Sequence, residues 1–285
     1  MVQRKFRVLI TGSSGLIGAA VAARFVGEAE IIGLDRVAGP WTSEVGDITN
    51  SKLILSLSRK VDAIVHVAGL HAPHVHCRSE EEFRRTNVEG TRILLDSAVR
   101  AGIGRFVFTS TTSVYGCTSR PKERAVWVTE ELKPHPKDIY DDTKLEAERL
   151  LRGAGRTAMS VAVLRMSRCF PEPAHLVAFY RLYRGVDRRD VAEGHWLAAT
   201  VPLKGFEIFN LSSEPVFKPE DTDLLWTDPW KVIDRRAPGV REIFLRKRWE
   251  MPRRIDRVYA IDKAKTVLGY RPRYGIEAAL EEMAG

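Results

Sequence analysis

Thr11-Gly12-Ser13-Ser14-Gly15-Leu16-Ile17-Gly18 decides the reading of this chain. It lies between a short apolar run, Phe6-Arg7-Val8-Leu9-Ile10, and a segment from Leu16 to Val26 whose apolar residues recur at helical spacing. A strand that enters a glycine turn and leaves as a helix presents free N–H groups to an anion. Gly12 permits the tight turn, Gly15 lets the backbone approach a pyrophosphate, and Gly18 lets helix and strand pack closely. The expected cofactor contacts here are Gly12, Ser14, Gly15, Leu16, Ile17 and Gly18. The next strand, Glu30-Ile31-Ile32-Gly33-Leu34, ends on Asp35. A carboxylate there accepts hydrogen bonds from an adenine ribose and repels a 2′-phosphate. NAD is therefore expected over NADP, although the neighbouring Arg36 offers a guanidinium that would suit a 2′-phosphate.

Outward from this unit the first half alternates strand-like and helix-like segments, the pattern of a parallel sheet covered by helices. Val61–Val67, Arg105–Thr109 and Ser160–Leu164 read as strands, and Lys137–Leu151 as a helix. Glu80–Arg100 reads as one long helix with Val88, Leu94, Leu95 and Val99 on or near a single face. The expected fold is α/β, a Rossmann doubly wound parallel sheet over residues 1–170, with a smaller substrate lobe over 171–285 interleaved with it. Pro171 and Pro173 mark the change of pattern.

Tyr140-Asp141-Asp142-Thr143-Lys144 places a phenol and an ammonium on one face of a helix. A free phenol is a poor base at neutral pH, and a nearby ammonium favours its ionised form. Tyr140 can then take the proton of an alcohol while the adjoining carbon gives up a hydride.

The Gly-x-x-Gly-x-x-Gly spacing resembles that of the extended short-chain dehydrogenase/reductases, the NAD-dependent epimerase/dehydratase family. Gly46-Asp47-Ile48 resembles the family's adenine-contacting segment, and His66-Val67-Ala68-Gly69 its stretch under the cofactor. Asn87-Val88-Glu89-Gly90-Thr91 is similar to its Asn-Val-x-Gly-Thr helix, and Phe106–Gly116 to its central strand and following loop. The resemblance adds Asp47, Ile48, Val67, Ala68, Gly69, Asn87 and Thr109 to the cofactor contacts, beside Tyr140 and Lys144. It makes Thr111 the hydroxyl that completes the catalytic set, with Ser110 and Thr112 able to exchange roles with it; Tyr115 is assigned to a structural turn. The dehydratases of the family carry Asp-Glu after that hydroxyl, where this chain has Thr112-Ser113, so dehydration is disfavoured.

The substrate contacts expected are His71, Thr111, Thr112 and Arg168. His71, His74, His76 and Cys77 invite a metal reading, but no acidic ligand joins them and none is expected. Sugar-nucleotide epimerases usually carry Asn where Arg168 stands, and the segment before Val186–Ala192 is much shortened, its expected arginine replaced by Tyr183 with Arg181 and Arg184 close by. These departures, with Cys169–Pro173, resemble uronate dehydrogenases, in which Arg168 would hold a carboxylate. Ile261–Lys265 and Leu268–Pro272 resemble the family's closing helix and turn, with Asp262 as its cap and Gly269 its end.

Three readings of function follow: an epimerase acting on a sugar or sugar nucleotide, a dehydrogenase of a free sugar acid, and a dinucleotide sensor that would not need Tyr140 and Lys144. The formal charge is +8, much of it between Arg235 and Arg257. That run reads as a solvated face or a field for an anionic substrate, with nucleic acid disfavoured. No apolar run reaches the length of a membrane span, and the basic segment Met1–Arg7 leads into too short an apolar core for a signal peptide. Three scattered cysteines suggest reduced thiols. A cytoplasmic enzyme with a small-molecule carbohydrate substrate is expected. The resemblance implies a homodimer through Glu80–Arg100 and Lys137–Leu151.

Overall fold

The computed structural model describes residues 5–119, 123–154, 158–250 and 253–283. Residues 1–4 of the basic leader, and the side chain of Cys117, lie outside the described set. The first half runs β1 (Arg7–Thr11), α1 (Leu16–Phe25), β2 (Glu30–Asp35), β3 (Glu44–Val45), α2 (Ser51–Ser58), β4 (Ala63–His66), α3 (Glu80–Phe83), α4 (Gly90–Ala101) and β5 (Arg105–Thr111). Then come β6 (Val126–Val128), α5 (Ile139–Ala154), β7 (Ser160–Met166), α6 (Ala174–Arg181), α7 (Arg188–Thr200) and β8 (Phe206–Leu211). The chain closes with α8 (Thr222–Thr227), α9 (Pro229–Arg236), α10 (Val240–Arg246), β9 (Arg257–Tyr259) and α11 (Ile276–Glu282).

Among the described residues, seven strands form one parallel sheet in the order β3-β2-β1-β4-β5-β7-β8. Alternate side chains along each strand supply two cores, as the two-residue period of a strand requires. Val8, Ile10, Val65, Val107 and Leu164 point toward α1 and α7. Leu9, Ile64, Phe106, Phe108 and Val163 point toward α2, α4 and α5. Both faces are covered, which is why these strands read as unbroken apolar runs. This is the doubly wound Rossmann arrangement. The order reverses between β1 and β4, and a crevice opens beyond the carboxyl ends of the strands at that switch point.

The sheet extends past Pro171: β8 joins it and α7 packs on it, and a third core, with Leu182, Leu225, Trp230, Phe244, Val258 and Ile276, holds the smaller lobe together. The small parallel pair β6–β9 ties the middle of the chain to that lobe.

The helix expected over Glu80–Arg100 is interrupted by a π-helical turn at Arg84–Glu89. Its start is fixed by a capping box: Glu82 N donates to Ser79 Oγ (3.2 Å) and Ser79 N to Glu82 Oε2 (2.9 Å). The extra residue of the π turn rotates everything after it by about 100° relative to a straight helix. Val99, expected on the covered face, is 52% exposed, because within the regular helix after the turn the face is set by Thr91, Leu94 and Ala98 and Val99 falls at its edge. Asp262 is also corrected: it lies inside its helix rather than capping it, whereas Gly269 ends that helix at a φ of 73°.

Candidate active site

A cleft of about 660 Å³ lies across the switch point. Its floor begins at Gly12, whose φ is +76° and where a Cβ would stand 2.7 Å from Ala68 N. At Gly18 a Cβ would fall 1.8 Å from Gly12 O, so neither position admits a side chain. Gly15 N donates to Gly12 O at 3.1 Å and closes the turn. No side chain caps α1, so its first-turn N–H groups remain available where Leu16, Ile17 and Gly18 line the cleft. Asp35 stands at the end of β2 with Oδ2 accepting from Ser14 N (2.9 Å) and Oδ1 from Val37 N (3.1 Å). Arg36, Asp47 and Ile48 line the same end, with Asp47 Oδ1 held by the Thr49 N–H and hydroxyl at 2.9 Å each.

Ser14 does not line the cleft, contrary to expectation. Its hydroxyl donates to Val37 O at 2.7 Å and pairs with Thr42 Oγ1 at 2.7 Å, stitching the glycine turn to the loop after β2. Asn87 lies beneath the floor instead of in it. It accepts from Leu70 N (2.8 Å) and donates to Leu70 O (3.0 Å) and Thr143 Oγ1 (3.1 Å). The π turn carries Asn87 inward, so one buried amide fixes both the Val67-Ala68-Gly69 floor and the helix that bears Tyr140. His66 completes this underlayer between Thr11 Oγ1 (2.8 Å) and Thr91 Oγ1 (3.0 Å). Thr91 donates its own proton to Asn87 O (2.6 Å), so His66 Nε2 carries the hydrogen and Nδ1 accepts from Thr11.

At the reacting end, Tyr140 sits in the first turn of α5 and Thr111 at the last residue of β5. Thr111 and Tyr140 line the same part of the cleft. Thr111 Oγ1 accepts from Ser113 N at 3.1 Å and keeps its own proton to donate. Burial pushes the Tyr140 pKa above that of a free phenol, and the neighbouring Thr111 hydroxyl opposes it. Lys144 Nζ donates to Thr109 O at 2.8 Å and stands 4.7 Å from the Phe108 ring centroid. Burial lowers its pKa to about 8 against the opposing charge of Glu148. Thr109, Thr112 and His71 also line the cleft. His71 stacks on Phe170 with ring centroids 6.0 Å apart, and burial, then His74 and Lys144, lowers its pKa to about 4. Among the described residues no group of three or more His, Cys, Asp or Glu is arranged to hold a metal ion.

Arg168 reaches the cleft, but its guanidinium is bonded to Glu172. Sequence reasoning singled out neither Lys137 nor Ser113, which join it there, with Lys137 Nζ donating to Ser113 Oγ at 3.0 Å. Lys137 precedes α5, three residues before Tyr140. Arg184 and Arg257 line the substrate end as well. Arg181, the other arginine near the expected position, is bound to Asp187 (2.9 Å) and Tyr274 O (3.1 Å).

Residues 8–175 match the model of the NAD dependent epimerase/dehydratase family, over half of the chain. The chain belongs to this family. The dTDP-glucose 4,6-dehydratase of Streptomyces antibioticus is 31% identical over 256 residues, covering 80% of this chain and 70% of that protein. The 3-beta-hydroxysteroid dehydrogenase of Mycolicibacterium neoaurum is 31% identical over 176 residues, covering 56% of this chain and 47% of that protein. The chain thus spans about half the length of that relative. In fold, this epimerase/dehydratase member resembles a short-chain dehydrogenase/reductase superfamily protein from Agrobacterium tumefaciens solved with bound NAD. The TM-score is 0.73 at 24% identity, over 98% of this chain and 96% of the other. No helix among the described residues is long and apolar enough to cross a membrane.

Proposed function

We propose that the cleft holds NAD and that Tyr140, Lys144 and Thr111 oxidise a secondary alcohol of a carbohydrate with it. One observation carries this reading: the Tyr140 phenol, Thr111 and the buried Lys144 ammonium line the same cleft as the Gly12–Gly18 turn and Asp35. The donor set fits the dinucleotide, with uncapped N–H groups for the pyrophosphate and a carboxylate for the adenine ribose. When bound, NAD supplies an acceptor for the hydride that leaves the alcohol carbon. Tyr140 takes the alcohol proton, Thr111 orients the oxygen, and the Lys144 charge favours the phenolate.

The reaction we favour is epimerisation of a nucleotide-linked sugar. Tyr140 then returns its proton when the hydride comes back to the other face of the ketone. Thr112 and Ser113 offer no carboxyl pair to drive elimination of water. A substrate anion finds a cationic group at its end of the cleft in Arg184, whereas Lys137 is paired there with Asp138 and Asp141 and Arg257 with Asp256. Buried Arg184 Nε has no hydrogen-bond partner among the described residues. The second reading, dehydrogenation of a free sugar acid, draws on the short span between β7 and α7, which leaves little chain to cover a nucleotide.

Tyr140→Phe tests the mechanism common to both readings. Turnover should fall by about 10²–10⁴-fold, the worth of a positioned acid–base group, with NAD affinity unchanged. Unaltered turnover would remove Tyr140 from the chemistry.

A further inference from the structure

The protein itself holds the Arg168 guanidinium from several directions. Nε donates to Glu172 Oε1 and Oε2 at 3.0 and 2.9 Å, and Nη2 to Oε1 at 2.5 Å. The guanidinium carbon stands 5.2 Å from the Phe170 ring centroid and 4.9 Å from that of Tyr180. Its backbone is also fixed, with Arg168 N donating to Arg184 O (3.0 Å) and Arg168 O accepting from Val186 N (2.9 Å). Glu172 lies between Pro171 and Pro173, and a following proline confines it to extended backbone. Its side chain is 10% exposed, against 39% for Arg168.

We propose that Glu172 is a built-in occupant of Arg168 and so a specificity-determining residue, making this stretch of cleft wall neutral and turning away substrates that bring a carboxylate to it. The inference rests on the carbohydrate reading and narrows it to a sugar without a carboxylate at this point, as in a nucleotide-linked hexose. A bidentate guanidinium site is the strongest carboxylate receptor a protein builds, and here an internal carboxylate has taken the Nε edge. A second carboxylate would meet only the end-on Nη1/Nη2 edge, beside a like charge already in place. Arg184 shares the Tyr180 ring, its guanidinium carbon 4.4 Å from the centroid, and makes no ion pair among the described residues. The positive charge left open on this wall is therefore Arg184, and an anionic group of the substrate is received there rather than at Arg168.

The test is a calorimetric titration of free glucuronate into the protein in saturating NAD, for the native chain, Glu172→Gln and the double variant Glu172→Gln/Arg168→Gln. Glutamine keeps the shape and removes the charge. Glu172→Gln should bind glucuronate at least about ten-fold more tightly than the native chain, the factor one charge-assisted contact supplies, and the double variant should lose that gain. Equal affinity in native and Glu172→Gln proteins that both bind NAD overturns the proposal. If Glu172→Gln does not fold, Arg168→Gln answers alone. It leaves the native glucuronate affinity unchanged when the pair is closed, and weakens it when Arg168 is an open receptor, which overturns the proposal. Absence of turnover with any carbohydrate would sink the broader reading, whereas this titration reports only on Arg168 and Glu172.

Discussion

Asp35 holds its carboxylate still by accepting two backbone N–H groups, from Ser14 and Val37, and keeps lone pairs for a ligand in the cleft it lines. Asp35→Asn removes the charge that repels a 2′-phosphate and leaves Arg36 beside it. Fluorescence titration should show NAD binding weakened about ten-fold, the cost of one charge-assisted hydrogen bond, with NADP gaining relative to NAD. An unchanged ratio of the two affinities would reduce Asp35 to a turn residue. Asp35, Tyr140 and Lys144 were legible because each stands at a fixed offset from a pattern: a strand end, a helical turn. Glu172 was not. Its bond to Arg168 crosses a Pro-Glu-Pro corner that carries no periodicity, so the sequence shows a free arginine where the folded chain shows a pair. Ser14 misled for a related reason, since a small hydroxyl in a glycine turn suits a phosphate and a neighbouring loop equally well.

At the scale of elements, α5 carries Lys144 and, one turn on, Glu148, which is buried against β5 and β7. Glu148 Oε1 accepts from the Ser110 hydroxyl (2.6 Å) and Arg165 Nε (3.0 Å), and Oε2 from Arg165 Nη2 (2.6 Å). The pair is 3–4% exposed, which places it in the regime where losing one partner strands the other charge. Glu148→Gln should cost about 3–5 kcal/mol in denaturant unfolding, and replacing both members by Leu and Met should recover most of it. Equal losses in the single and double variants would show that packing, not charge, matters here. The strands and α1 were readable from their apolar periods. The π turn was not, because an inserted residue changes the helical phase without changing composition. Its consequence reached the site, since Asn87 within it lies under the floor.

For the whole molecule, two buried neutral histidines link stability to pH. Burial, with the Lys144 charge adding to it, lowers the His66 pKa to about 3. Burial alone lowers that of His195 to about 4, between Thr109 Oγ1 (2.8 Å) and Val191 O (2.7 Å). An unfolded histidine titrates near ~6.5, so below that value the unfolded chain binds protons that the folded chain refuses. Stability is complete above the unfolded value and falls as pH drops, by up to ~1.4 kcal/mol per pH unit for each histidine until its folded pKa is reached. The buried carboxyls Asp141, Asp190 and Glu130, all raised by burial, act in the opposite sense. The slope is therefore read by comparison: the midpoint of thermal unfolding should fall less steeply between about pH 7 and 5 in His195→Gln than in the native chain. Parallel slopes would contradict the account. The doubly wound sheet was visible at this scale from the alternation of segments. Its extension past Pro171 was less so, because β8 is reached through an irregular stretch whose partners lie far away in sequence.

The most direct test of the central claim is NADH absorbance and product analysis after mixing the protein and NAD with UDP-hexoses and free hexuronic acids. The account predicts no sustained NADH, with a UDP-hexose converted to its epimer in the same tube and the conversion lost in Tyr140→Phe. A sustained rise in NADH with a free hexuronic acid would contradict both the epimerase reading and the closed Arg168–Glu172 pair.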